Sequence, residues 1–168
     1  MEENVDISYG LWQLISRTRH LLYKIRRKEL YKYGVSSPES MILHTILRLG
    51  IEATPTAISR ETYLEPSSLS GQLARMEKGG LINKIKDAKR KNLVRIEVTN
   101  KGYELFLKSK NRKSIKYVMS VLTEEEKLEL WRILSKIRVR ALKKLGMGTL
   151  TPYPPLNPDE MWPSDKMD

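Results

Sequence analysis

The chain has 168 residues, of which 40% are hydrophobic and 30% charged, with a net charge of +11; that is enough for one domain with a buried core plus appendages. It contains no cysteine, which excludes disulfides, thiolate metal sites and thiol redox chemistry, and its two histidines, His20 and His44, are little material for a metal centre. No apolar run approaches the roughly 20 residues of a membrane helix, and the acidic, polar start Met1-Glu2-Glu3-Asn4-Val5-Asp6 lacks the regions of a signal peptide, so a cytoplasmic protein without a membrane partner is expected. The charge is unevenly spread. Residues 151–168 hold four acids against Lys166, a balance of -3, so the remainder carries +14; such an excess favours a polyanionic partner through counterion release.

The first predicted helix covers 7–33. Leu11, Ile15, Leu22 and Ile25 recur at helical spacing, and Leu14, Thr18 and Leu21 widen the stripe. Gly34 is a helix stop. Ser36 or Ser37 before Pro38 then reads as an N-cap with proline in the first turn. It opens a short helix to Leu49 with Met41, Ile42, Ile46 and Leu49 as core candidates. Thr54-Pro55 repeats the capping logic for a helix from Thr56 to about Tyr63, which offers Ala57 and Ile58 to the core. Leu64-Glu65 is a turn, and Pro66 starts the next helix. On that helix, about 66–78, Leu69, Leu73 and Met76 share one face, while Ser67, Ser68, Ser70, Gly71, Gln72 and Arg75 fall mostly off it; Gly79-Gly80 closes it.

A hairpin follows. Val94, Ile96 and Val98 alternate with Leu93, Arg95 and Glu97, the period of a half-buried strand, and the preceding loop Lys86-Asp87-Ala88-Lys89-Arg90-Lys91-Asn92 is cationic. Thr99 or Asn100 caps the next helix, with Tyr103, Phe106 and Leu107 as apolar residues; the basic run from Lys108 to Lys116 bends or breaks it. Thr123-Glu124-Glu125-Glu126 is a capping box. The last helix runs to about Leu145 with a stripe of Leu130, Leu134, Ile137 and Ala141, and Gly146 and Gly148 end it. The tail, 149–168, carries five of the eight prolines and cannot be a regular helix or a central strand.

Four segments, in this order and spacing, resemble the MarR family of transcription regulators: Gly34-Val35-Ser36-Ser37-Pro38-Glu39, Thr54-Pro55-Thr56-Ala57-Ile58-Ser59, Leu64-Glu65-Pro66-Ser67-Ser68-Leu69-Ser70 with Met76-Glu77-Lys78-Gly79-Gly80-Leu81-Ile82, and Val98-Thr99-Asn100-Lys101-Gly102. The resemblance spans roughly 8–145. It departs from the family in the wing: the positions nine and seven residues before Thr99, where the family has the Asp and Arg of Asp-x-Arg, hold Arg90 and Asn92. Thr62 is a second departure, at a position where a more apolar residue is expected.

The resemblance implies a mainly α fold with a small β-hairpin wing (α+β): a winged helix-turn-helix with N- and C-terminal dimerisation helices. The expected organisation is a dimerisation region of 7–33 and 123–145, a DNA-binding lobe of 36–102, a connecting helix of 103–122 and the proline-rich tail of 149–168. It implies a sequence-specific regulator, a repressor rather than an enzyme, binding double-stranded DNA as a homodimer on a pseudo-palindromic operator with half-sites about 10 bp apart. The recognition helix of 66–78 would enter the major groove through Ser67, Ser68, Ser70, Gln72 and Arg75, and the wing of 83–98 would grip phosphates or the minor groove through Lys84, Lys86, Lys89, Arg90 and Lys91. A small aromatic ligand in a cleft lined by Trp12, His20, Tyr23 and His44 would relieve binding. No cofactor or metal is implied. Competing roles stay open at this point: helix capping for Ser67 and Ser68, a surface ion pair for Arg75, and ordinary packing for the four aromatic and imidazole residues. A second reading is an interaction module of the same fold that binds protein or RNA without operator specificity.

Overall fold

The computed structural model describes residues 6–86, 93–147 and 154–155. Seven α-helices and one hairpin occur among them: α1 (Ser8–Tyr31), α2 (Ser37–Leu49), α3 (Pro55–Thr62), α4 (Pro66–Lys78), β1 (Ile82–Lys86), β2 (Val94–Val98), α5 (Asn100–Ser109), α6 (Lys113–Met119) and α7 (Glu124–Lys144). The chain divides into two compact units, Met1–Lys116 and Tyr117–Asp168. The proline-rich tail lies outside the described residues except at Pro154 and Pro155.

In the first unit, each turn carries the residue its backbone needs. Gly34 ends α1 at φ +71° and Gly50 ends α2 at φ +54°, a region that costs glycine little. Ser36 and Glu39 form a reciprocal capping box on α2 (Glu39 N–H to Ser36 Oγ 3.3 Å, Ser36 N–H to Glu39 Oε2 2.9 Å). A 3-10 turn, Gly50–Glu52, which the sequence did not announce, joins α2 to α3. The core is one cluster drawn from α2, α3, α4, the hairpin and α5: Ile42, Leu43, Ile46, Ala53, Ile58, Leu69, Leu73, Met76, Leu81, Ile82, Ile96 and Phe106. Two core expectations change. Met41 is 38% exposed and its neighbour Leu43 is fully buried, because α2 meets α3, α5 and β2 together and so buries a wider face than the stripe indicates. Ala57 is only half-buried, leaving Ile58 as the buried residue of α3. Thr62, in a place where an apolar residue is expected, satisfies its hydroxyl by donating to the Ile58 carbonyl at 2.7 Å.

The segment 103–122 is two helices rather than one. Arg112 sits at φ +48° between α5 and α6, and α1 holds both sides of the break. Arg26 donates to the carbonyl of Ser109, the last residue of α5, at 2.5 Å and pairs with Glu29 at 2.6 Å. Glu29 in turn accepts from the backbone N–H of Ser114 at 3.3 Å and from its hydroxyl. One ion pair on α1 thus caps the end of α5 and the start of α6. Burial raises the pKa of the Glu29 carboxyl, but the bonds from Ser114 and Arg26 outweigh it and the net shift is downward.

In the second unit, α7 opens on the expected capping box (Thr123 N–H to Glu126 Oε2 2.8 Å, Glu126 N–H to Thr123 Oγ1 3.2 Å). Its stripe is open to solvent: Leu130, Leu134 and Ile137 are exposed, and Leu142 is the buried residue of the helix. The same holds for the apolar residues of α1, where Leu11, Trp12, Leu14, Ile15, Leu21 and Ile25 are all exposed and burial begins only at Glu29 and Leu30.

Gly102 is the tightest point of the first unit. A Cβ there would lie 2.1 Å from the carbonyl oxygen of Leu81 and 2.9 Å from Val98. Replacing Gly102 with Ala forces backbone apart from backbone and is expected to destabilise the protein by about 1–3 kcal/mol or more, read as a lower denaturant midpoint; Gly10→Ala, at an open position on α1, serves as the control that does not lose stability.

Candidate nucleic-acid interface

The helix-turn-helix is built from α3 and α4. Thr54 caps α3 by accepting from the Ala57 N–H at 3.1 Å, ahead of Pro55. The turn passes through Tyr63 at φ +55°, and the Ser59 hydroxyl closes it by donating to the Leu64 carbonyl at 2.7 Å. Arg48 of α2 pairs with Glu61 of α3 at 2.5 Å, which fixes α3 against the helix behind it.

On α4, Leu69, Leu73 and Met76 are buried and Ser67, Ser68, Ser70 and Arg75 are exposed. Glu65 is the N-cap residue and no side chain caps the helix. The hydroxyls of Ser67 and Ser68 therefore face outward without a capping role. Among the described residues Arg75 has no ion pair, and its guanidinium lies over Gly71, where Arg75 Nη1 is 3.7 Å from the site of a Cβ. Gln72 is half-buried and sits on the flank of the helix. Gly71 is unusual as an interior helix residue, a place where glycine costs about 1 kcal/mol relative to alanine.

The end of α4 is locked to the start of α5, which follows the wing. Gly79 and Leu81 donate to the carbonyls of Arg75 and Met76, both at 2.9 Å, through Gly80 at φ +69°. Thr99 then donates its hydroxyl to the Gly80 carbonyl at 2.7 Å and its N–H to the Leu81 carbonyl at 3.1 Å, and accepts from the Gly102 N–H at 3.1 Å. Lys101 donates to the Gly79 carbonyl at 2.8 Å. The segment Val98-Thr99-Asn100-Lys101-Gly102 is thus the clamp on the end of α4. Sequence alone marks Thr99 as a cap and Lys101 as a motif letter; their bonding role comes from contacts with the helix end.

The wing is antiparallel with Ile82 opposite Val98 and Lys86 opposite Val94. Its inner edge is tied down by the Ile96 N–H, which donates to the Ala53 carbonyl at 2.7 Å, and by Arg95, which donates to the Ile51 carbonyl. Lys84 pairs with Glu77 of α4 at 2.7 Å; it bridges helix and wing rather than standing free. Lys86 is exposed at the end of β1. Lys89, Arg90 and Lys91, together with the departure from Asp-x-Arg, lie outside the described residues.

Of the four expected ligand residues, Tyr23 lines a cavity, and Trp12, His20 and His44 are not among the residues that line it. Trp12 is exposed and stacked on Tyr9 at 5.6 Å, and His20 is exposed. Tyr23, eleven residues and roughly 16 Å along the helix from Trp12, lines a cavity of about 440 Å³ with Arg27, Tyr31, Val35, Ser36, Ser37, Pro38 and Glu39 at the corner of α1 and α2. His44 is half-buried on α2 against Phe106, with ring centroids 6.3 Å apart. No group of three or more His, Cys, Asp or Glu positioned for a metal occurs among the described residues, and none of their helices is long and apolar enough to cross a membrane.

A sequence model of the MarR family matches residues 33–97. The organohalide-sensing RdhR-CbdbA1625 transcriptional regulator is 34% identical, with a TM-score of 0.79 over 90% of this chain and 91% of that one in its ligand-free form. This chain belongs to the MarR family. Its fold is accordingly a winged helix, and as a MarR-family protein it is a transcription regulator and not an enzyme. The 2,4-dichlorophenol-bound form of the same regulator matches equally, with a TM-score of 0.78. The HTH-type transcriptional regulator PecS of Dickeya dadantii (strain 3937) is 26% identical over 127 residues, 73% of this chain and 76% of PecS. A cysteine-to-serine mutant of MarR from E. coli in complex with operator DNA shares the fold at a TM-score of 0.72, with 16% identity over 80% of this chain and 99% of that one.

The His44 imidazole is held neutral: burial first, then the charges of Arg112 and Arg48, push its pKa from 6.5 down to about 4. An unfolded chain therefore takes up a proton on His44 before the folded one does, so the His44 contribution to stability is full above pH 6.5 and is lost as pH falls toward 4. His44→Gln is expected to flatten the unfolding midpoint across that window, measured by denaturation at stepped pH. The Glu29 contribution, which is lost only as pH falls through its depressed pKa, should persist in that variant.

Proposed function

We propose that this MarR-family regulator is a sequence-specific repressor that binds a pseudo-palindromic operator as a homodimer. The observation that carries the proposal is the outer face of α4: Ser67, Ser68, Ser70 and Arg75, which has no ion pair among the described residues, are exposed off the core face, on a helix whose C-terminal end is bonded to the start of α5 and paired through Glu77 with Lys84 of the hairpin. Arg75 can bond guanine bidentately and the serines can reach bases or phosphates. Gln72, on the flank, suits an adenine or a phosphate at the groove wall. Lys86, with Lys89, Arg90 and Lys91 at the wing loop, supplies phosphate or minor-groove contacts, and Lys84 holds the wing against α4 through Glu77. The operator complex of the E. coli MarR mutant supports the arrangement by its fold.

Dimerisation is supported by two separate apolar surfaces, on α1 and on α7, each exposed over most of its length. Patches of that size mark interaction sites, and a two-fold dimer would set two recognition helices one turn of DNA apart. Leu14→Asp or Ile137→Asp is expected to give a monomer by light scattering and to lose operator binding.

The 2,4-dichlorophenol-bound relative supports relief by a small aromatic ligand. In this chain the best receptor is the cavity at the corner of α1 and α2, where the Tyr23 and Tyr31 rings and the Arg27 guanidinium meet the apolar Val35 and Pro38; that chemistry fits a planar phenol. Trp12, His20 and His44 are assigned no part in it.

Duplexes selected by the protein from a random pool test the whole reading, since their symmetry reports dimer and spacing together. Against the selected duplex, Arg75→Ala is expected to cost about tenfold in affinity and relax one base preference, whereas Lys86→Ala should weaken all duplexes alike and reduce the salt slope by about 1. Equal binding of selected and random duplexes at the same salt would refute the repressor.

A further inference from the structure

Gly71 occupies the centre of the outer face of α4. With about 100° of rotation per residue, the core residues Leu69, Leu73 and Met76 define one pole, and the opposite pole is made by Ser67, Gly71, Ala74, Arg75 and Lys78. No atom among the described residues asks for glycine there. Gly71 is helical, its φ does not lie in the positive region, and a Cβ would meet only Arg75 Nη1, at an ordinary contact distance of 3.7 Å. The contrast with Gly102, where a Cβ would overlap the Leu81 carbonyl, is direct: one glycine is demanded by the fold and the other is not. An interior helix glycine weakens its helix, so its use points to something outside the chain that comes against this spot. The one group lying over it, the Arg75 guanidinium, has no ion pair among the described residues to hold it there.

We infer that Gly71 is the point of closest approach between the recognition helix and the base pairs, a specificity-determining position that acts by lacking a side chain. This inference rests on the DNA-binding reading above. The bare Cα lets the helix axis descend into the major groove until the neighbouring Ser67 and Arg75 reach base edges, and it leaves the Arg75 side chain free to swing from the helix surface to the N7 and O6 acceptors of a guanine. A methyl at residue 71 fits the free protein and obstructs the bound one.

The test is Gly71→Ala, measured against the duplex selected by the parent protein and a random duplex at equal salt. The variant should fold with Tm raised by roughly 2–4 °C, from helix propensity. It should bind the selected duplex about tenfold or more weakly, a loss of the size of one misplaced base contact. Its affinity for the random duplex should be unchanged. In an Arg75→Ala background the same methyl should keep its cost; if that cost disappears, Gly71 serves only to seat Arg75 and close approach is refuted. Undiminished binding of the selected duplex by Gly71→Ala, with the parent still discriminating, overturns this inference alone. A parent protein that does not discriminate removes the DNA-binding reading and this inference with it.

Discussion

The outer face of α4, the surface proposed to meet DNA, depends on how the C-terminal end of that helix is fixed. A helix leaves its last carbonyls without partners, and here the start of α5 secures the residues that follow them: Lys101 bonds the carbonyl of Gly79 and Thr99, the N-cap of α5, bonds those of Gly80 and Leu81. This closure brings the Gly102 backbone so near Leu81 that no side chain fits between them. The outcome is that the C-terminal end of α4 is fixed by backbone and side-chain hydrogen bonds from the residues that open α5. A helix reading base edges needs that stiffness, since small displacements of its donors misplace every contact at once.

The charges divide along the same lines. Cations that build the lobe are engaged with the protein: Arg48 with Glu61, Lys84 with Glu77, Arg95 with the Ile51 carbonyl and Arg26 with Glu29 and Ser109. Arg75 and Lys86 are exposed on the surface that the proposed complex would present to DNA. The excess of positive charge in the chain raises association with any polyanion, so in the proposed complex selectivity is assigned to the face of α4.

The long helices present a different problem. Both α1 and α7 have the stripes of core helices, yet most of each stripe is open to solvent. Under the proposed dimer these faces become core, and stability and DNA affinity are then linked to protein concentration. The Arg26–Glu29 pair gives α1 a second role within the first unit: it bonds both sides of the break between α5 and α6, where Arg112 is in a left-handed conformation.

Periodicity, caps and turn glycines were enough to read the helices other than the split of 103–122, the hairpin and the order of the helix-turn-helix, because each depends on residues a few positions apart: Thr54 with Pro55, Thr123 with Glu126, and Leu69 with Leu73 and Met76. The exposed serines and Arg75 were legible for the same reason, since helical spacing alone puts them off the buried face. Contacts between distant segments were not legible. The sequence does not say that Lys84 meets Glu77, that Arg26 reaches Ser109, that Thr99 closes α4, or that His44 packs on Phe106 while Trp12 stays in solvent. It also could not tell two glycines apart. Local pattern determined where the helices begin, end and face; only the tertiary structure decided that Gly102 is required by a carbonyl packed against it and that Gly71 is not, because steric demand on a glycine comes from whatever atoms the fold brings beside it.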